Sequence, residues 1–256
     1  MRGLILRILC LALGAAGTAS AANRFVSLSG GHVAPYTSWA NAATNLHAVM
    51  AVATNNDLIT VSNGVFALTS TLTIARSGLV LQSANGPGFT AIDGRGRVAC
   101  LTLSSNNVRL AGLTIQNGSN TANGGAVTIG AGRSGIVISN CVIHANYAAN
   151  DGGGLYFPST ATGLVTGSTF TRNRGTYGGG LCARGAGMVV SNCVFRENGA
   201  DGGPGTGGAG AFLAASGTVV LCTFERNVST GNDGGGLLIN AGTPTVDRCQ
   251  FVDNTA

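Results

Sequence analysis

Ser191-Asn-Cys-Val-Phe-Arg-Glu-Asn198 is the stretch on which the fold turns, because it recurs. The same frame reads Ser139-Asn-Cys-Val-Ile-His-Ala-Asn146 and Gly167-Ser-Thr-Phe-Thr-Arg-Asn173 upstream. Downstream it returns as Leu221-Cys-Thr-Phe-Glu-Arg-Asn227 and Arg248-Cys-Gln-Phe-Val-Asp-Asn254. The apolar markers Ile143, Phe170, Phe195, Phe224 and Phe251 follow one another in steps of 27, 25, 29 and 27 residues. A looser copy, Leu113-Thr-Ile115 ending at Asn117, places Ile115 28 residues before Ile143. A second marker is interleaved with the first: Gly124-Gly-Ala-Val127, Gly152-Gly-Gly-Leu155, Gly178-Gly-Gly-Leu181 and Gly234-Gly-Gly-Leu237, with a degraded copy between Gly207 and Phe212. A fixed period of this size is the signature of stacked repeats.

Spacing within the unit selects the architecture. Side chains alternate along a strand, so each marker shares a face with the residue two before it. The pairs are Cys141/Ile143, Ser168/Phe170, Cys193/Phe195, Cys222/Phe224 and Cys249/Phe251, all small or apolar, and this face is expected to point inward. The glycine runs forbid the amphipathic helices that a helical repeat would need. Short strands between glycine turns fit an all-β fold, a right-handed parallel β-helix of about 27 residues per coil with rungs roughly 4.8 Å apart. Its handedness follows the general chirality of parallel crossovers. Ile115, Ile143, Phe170, Phe195, Phe224 and Phe251 are then expected to form one internal file, with Cys141, Cys193, Cys222 and Cys249 in a second. Asn tolerates left-handed backbone and bonds its neighbours, so Asn146, Asn173, Asn198, Asn227 and Asn254 are expected at a sharp corner, aligned as a structural ladder.

Outward from the repeats the signals change. Residues 22–56 lack the unit, and Trp39, Ala42, Ala43, Leu46, Val49, Met50 and Ala53 fall at helical spacing behind Ser38 as N-cap. This segment is read as a cap with a short helix, covering the open end of the stack. The repeats are assigned to residues 57–256, with early strands at 58–61, 72–74, 79–81, 101–103 and 108–110 and turns at 85–88 and 93–94. Residues 1–21 carry Arg2 and Arg7, an apolar run from Ile8 to Ala16 and the small residues Ala19-Ser20-Ala21. That is the layout of a secretory signal peptide cleaved after Ala21, which sets the expected location as secreted, extracellular or outer-membrane surface.

Composition narrows the function classes. The chain has 42 Gly and only 9% charged residues, yet 45% are hydrophobic, which argues against a disordered linker. Lysine is absent. The net charge is +5, and losing Arg2 and Arg7 with the leader leaves about +3, too weak and scattered for nucleic-acid binding. No stretch is long enough to span a membrane.

The paired markers Gly-Gly-[Ala/Leu]-[Ile/Leu] and Phe-x-x-Asn resemble the repeats of polymorphic outer-membrane proteins, a group of autotransporter surface proteins. The opening, from Phe25-Val-Ser through Val61-Ser-Asn-Gly-Val-Phe66 to Ile92-Asp-Gly94, is similar to secreted bacterial proteins of the pectin-lyase-like β-helix superfamily. The resemblance implies the fold and leaves the activity open, because lyases, hydrolases, adhesins and passive spacers share it. Autotransporters of that group end in a β-barrel. The sequence stops at Ala256, just after a repeat's Asn, and the expectation is a chain truncated at its C-terminus.

Enzymes of this superfamily use clustered acids, either to hold Ca²⁺ beside a basic residue or as two or three close Asp. After the leader come only Asp57, Asp93, Asp151, Glu197, Asp201, Glu225, Asp233, Asp247 and Asp253, with no Asp pair within three residues. The column before the ladder Asn reads Ala145, Arg172, Glu197, Arg226, Asp253, and the column before that reads His144, Thr171, Arg196, Glu225, Val252. Alternating signs predict a solvated salt-bridge ladder, including Arg196 beside Glu225, rather than like charges held together. Asn150-Asp151-Gly152 and Asn232-Asp233-Gly234 are read as turn chemistry rather than metal sites. His32, His47 and His144 have no zinc spacing. Tyr147, Tyr156 and Tyr177 are candidates for a carbohydrate platform. Cys193, Cys222 and Cys249 fall on adjacent rungs within disulfide range, and buried free thiols are the preferred reading. No catalytic, cofactor or metal residue is assigned and no cofactor is expected. Candidate partners are a polysaccharide or a host or cell-surface ligand, with oligomeric state open. The leading expectation is a non-catalytic, adhesin-like or passenger scaffold. The alternative is a carbohydrate-active enzyme or polysaccharide binder with its site in the longer turns, such as residues 199–209, or in further coils.

Overall fold

A computed structural model describes residues 21–203, 205–231 and 233–256. The expected leader, residues 1–21, lies outside the described residues except for Ala21.

One coil shows how the sequence becomes shape. Strand Leu155–Phe157 follows the Gly152–Gly154 run, a turn leads to Gly163–Thr166, a one-residue corner leads to Thr169–Thr171, and a second corner leads to Arg174–Gly175. Stacked coils align these segments into parallel sheets of seven, nine, eight and five strands. The register is strict. Ile115, Ile143, Phe170, Phe195, Phe224 and Phe251 pair in succession along the eight-stranded sheet, which makes the expected single file. The first five are fully buried. The four phenylalanine rings stack at centroid distances of 4.7, 4.8 and 4.9 Å, with interplanar angles of 11°, 5° and 5°. Each such pair adds roughly 0.5–1.5 kcal/mol beyond the area it buries. Phe251 departs from the inward expectation. It is 51% exposed, because no described coil lies over it.

Two corners per coil let strands change direction within one residue. The first is left-handed at Asn140, Gly167, Asn192, Leu221 and Arg248, with φ of 50°, 56°, 51°, 56° and 48°. The second is left-handed at Ala145, Arg172, Glu197, Arg226 and Asp253, with φ between 50° and 56°. The sequence reading placed the ladder Asn itself in that conformation, and the structure moves it one residue back. The left-handed residue turns the chain, and the next side chain, the Asn, swings inward where its amide can span neighbouring rungs. On Asn173, Oδ1 accepts from the Asn146 N–H at 3.1 Å and Nδ2 at 2.9 Å, while its own Nδ2 donates to the Ile143 carbonyl and to Asn198 Oδ1. The pattern repeats at Asn198, Asn227 and Asn254. The looser copy is also corrected. Ile115 pairs with Ile143, so Asn117 occupies the left-handed corner at φ 51°, and the Gly118 N–H ends the ladder by donating to Asn146 Oδ1.

Glycine is demanded where coils nearly touch. A Cβ on Gly154 would sit 2.4 Å from the Gly180 carbonyl oxygen of the next coil. That contact is closer than any real Cβ tolerates.

The N-terminal helix is shorter than the spacing predicts. It runs Leu46–Val52, capped by Asn45, whose Oδ1 accepts the Ala48 N–H at 2.9 Å. Residues 39–43 are held in turns instead, because their backbone is committed to a preceding segment: Gly31 N–H to Ala40 O, Ala43 N–H to Phe25 O and Ser27 N–H to Ala43 O. Backbone bonding across segments outweighs local helical preference here. Strand Asn23–Val26 pairs in parallel with Leu58–Val61, so the nine-stranded sheet already begins within this region. Buried Asp57 fastens it. The carboxylate accepts from Arg24 Nε, the Ala22 N–H, and both the N–H and hydroxyl of Thr54. Burial pushes the Asp57 carboxyl up, but these donors outweigh it and hold it below the usual carboxylate range.

Candidate functional site

The charged surface lies along the edge where the eight-stranded sheet turns into the five-stranded one. The left-handed corner places side chains 117, 145, 172, 197 and 226 outward in a row, and Ser119, Tyr147, Arg174, Gly199 and Val228 stack beside them in register. Two hollows open along this edge. One, of about 410 Å³, is lined by Arg172, Arg174, Glu197 and Arg226. The other, of about 560 Å³, is lined by Asp93, Arg95, Asn117 and Tyr147.

Its acids are neutralised in place. Glu197 meets Arg172 Nε at 2.9 Å and Arg226 at 3.5 Å, Glu225 meets Arg226 at 2.8 Å, and Asp201 meets Arg174 at 3.0 Å. The Arg172 hydrogen bond, with Arg196 and Arg226 also nearby, holds the Glu197 carboxyl below its ordinary range. At Glu225 a pair within one coil replaces the expected cross-rung Arg196–Glu225 pair. Arg226 on the same coil meets Glu225 at 2.8 Å, and Arg196, the register neighbour of Glu225, is exposed. Burial pushes the Asp93 carboxyl up, yet bonds from Gln116, the Arg95 N–H and Asn117 leave it lowered. Burial, and next the nearby Arg172, lower His144 below the ordinary histidine value. These groups do not form the like-charge pair that raises a carboxyl into acid–base service.

A second cluster, which the repeat did not reveal, covers the outer face of the seven-stranded sheet. Tyr156, Cys182 and Phe212 stack in register there. Asp151 grips Arg184, with Nη2 at 2.7 Å, and the guanidinium lies 5.3 Å from the Phe212 ring centroid and 5.6 Å from that of Tyr177. The Tyr177 hydroxyl donates to the Gly205 carbonyl at 3.0 Å. This arrangement clips the long turns onto the sheet and seals Cys182, whose thiol burial pushes up. The three candidate tyrosines do not form one platform. Tyr147 stands half exposed in the five-stranded sheet, while Tyr156 and Tyr177 belong to this clip.

The cysteine file is reduced. Cys141, Cys193 and Cys222 are buried with Ser168 between the first two, and Cys249 is partly exposed. Burial raises the Cys141 thiol to about 11, and neighbouring Cys222 together with burial pushes the Cys193 thiol up, its Sγ donating to the Ser191 and Val165 carbonyls. Cys100, unassigned from the sequence, is a further core thiol raised by burial to about 12. Among the described residues no three His, Cys, Asp or Glu side chains gather in a metal-binding group.

Comparison with known proteins places this geometry. Residues 47–256 match the family described as "Right handed beta helix region". A stretch of 126 residues, 46% of this chain, is 32% identical to Metabotropic glutamate receptor-like protein R of Dictyostelium discoideum. The chain spans only 7% of that protein's length. The crystal structure of Escherichia coli YbhC superimposes with a TM-score of 0.51 over 91% of this chain and 73% of that one, at 16% identity, a likeness of fold alone.

Proposed function

The chain belongs to the right-handed β-helix family, and from that premise we propose that it is a non-catalytic scaffold, exported and displayed at the cell surface or outside it, with an adhesin-like or passenger role. The observation that carries this reading is the state of the acids. Asp57, Asp151, Glu197, Asp201, Glu225 and Asp247 are each paired with an arginine, and Asp93 is held by amides, so seven of the nine carboxylates are already engaged by donors. The leader-like residues 1–21 support export, and the match within a receptor-like protein supports a surface setting. The test is turnover. Incubation with a panel of acidic and neutral polysaccharides should release neither unsaturated uronates, read by ultraviolet absorbance, nor new reducing ends. Sustained release of either product defeats the scaffold reading.

The second reading is a polysaccharide binder or carbohydrate-active enzyme along the charged edge. The arginine-lined hollow at Arg172, Arg174 and Arg226 favours it, since guanidinium groups suit carboxylated sugars. Retention of acidic glycans without cleavage, lost in Arg174→Ala, would favour that binder.

A further inference from the structure

The N-terminal cap carries a cleft of different character. It has a volume of about 540 Å³, and no charged side chain lines it. Its apolar wall is Trp39, 45% exposed, with Leu28, 55% exposed. The indole is braced by Phe25, with ring centroids 4.6 Å apart and planes tilted at 49°. Its polar wall is built by the sheet register. Val26 pairs with Val61 and Val61 with Ser83, so the next residues, Ser27 beside Ser62 and Asn63 beside Asn85, continue as short columns. Asn85 Nδ2 donates to Asn63 Oδ1 at 2.7 Å, which orders two exposed amides and leaves Asn63 Nδ2 as a donor and Asn85 Oδ1 as an acceptor for a ligand.

We infer that this cleft binds a neutral saccharide. A half-exposed indole offers a flat apolar face with a polar edge, and two fixed amides with serine hydroxyls offer alternating donors and acceptors. A pyranose has the complementary surface, with C–H faces and a rim of hydroxyls. The uncharged lining gives an acidic sugar or a charged peptide nothing to pair with. The chemistry is distinct from the arginine-lined edge, and the inference rests on the binding-scaffold reading by giving that scaffold a ligand class.

Trp39 is the sole tryptophan of the chain, so it reports on its own site. Titration of the full chain with neutral β-glucan, mannan and xylan oligosaccharides should shift or quench its emission saturably, while oligogalacturonate should not. Calorimetry should show binding weakened about tenfold or more in Trp39→Ala and several-fold in Asn63→Ala, with Trp39→Phe retaining most affinity. The exposed Trp39→Ala change should leave the unfolding temperature nearly unchanged, which separates a lost contact from a lost fold. Neutral glycans that bind equally well to Trp39→Ala overturn the site and leave the scaffold reading standing. Absence of any emission change across the saturating panel, or displacement of the response to an apolar peptide, overturns the saccharide assignment. Polysaccharide turnover would defeat the scaffold reading without touching this site.

Discussion

Asn198 satisfies four backbone and side-chain partners with one amide. Its Oδ1 accepts two hydrogens from Asn173, and its Nδ2 serves the Phe170 carbonyl and Asn227. Asn198→Ala leaves buried groups unpartnered, each at a cost of roughly 1–3 kcal/mol, so a loss of about 3 kcal/mol is expected in urea unfolding. Asn254→Ala, at the partly exposed end of the file, should cost about 1 kcal/mol. Equal losses would show that the ladder is not what stabilises the corner. Asp57 gives a pH-dependent counterpart. Its folded pKa is lowered, so its stabilisation is complete above the ordinary aspartate value of about 3.9 and is lost as pH falls through the folded value. Asp57→Asn strands the buried Arg24 cation and should cost about 3–5 kcal/mol at neutral pH. It should also flatten the decline in stability below about pH 4. A variant whose acid profile matches the wild type would assign that decline to other carboxylates.

At the scale of strands and turns, close backbone approach decides which glycines matter. Gly154→Ala drives a methyl into the Gly180 carbonyl, whereas a Cβ on Gly88 meets nothing within 4 Å. Thermal unfolding should fall by several degrees in the first variant and hardly move in the second, and similar values would mean the coils have slack. The strand files were legible in the sequence because every coil repeats them in phase, so Phe195 over Phe224 needs only arithmetic. The Asp151–Arg184–Phe212 clip was not, because its members come from different phases of different coils and meet only once the turns fold over the sheet. The two-residue strands of the five-stranded sheet, such as Arg174–Gly175, are too short to carry any alternation. The helix start was misjudged because the partner of Ala43 lies in strand Asn23–Val26, a non-local fact. The cleft at Trp39 stayed hidden for the same reason.

Over the whole molecule, stability is close to a sum along one axis, since each coil touches only its neighbours. Interior coils are covered on both faces, while Thr245–Asp247 and Gln250–Val252 are exposed throughout. Hydrogen exchange should therefore run at least about tenfold faster in Gln250–Val252 than in the equivalent Val194–Arg196. Uniform protection would point to global rather than sequential opening. The Asn file gives this axis a polarity. Each amide donates toward the following coil and accepts from the preceding one, so the dipoles add head to tail and reinforce one another. Gly118 closes one end with a donor that needs no side chain. Asn254 presents a donor at the other end, so a further coil stacking there would carry the file onward by offering a single oxygen at that height, whereas the coils that precede Gly118 stack without any such file.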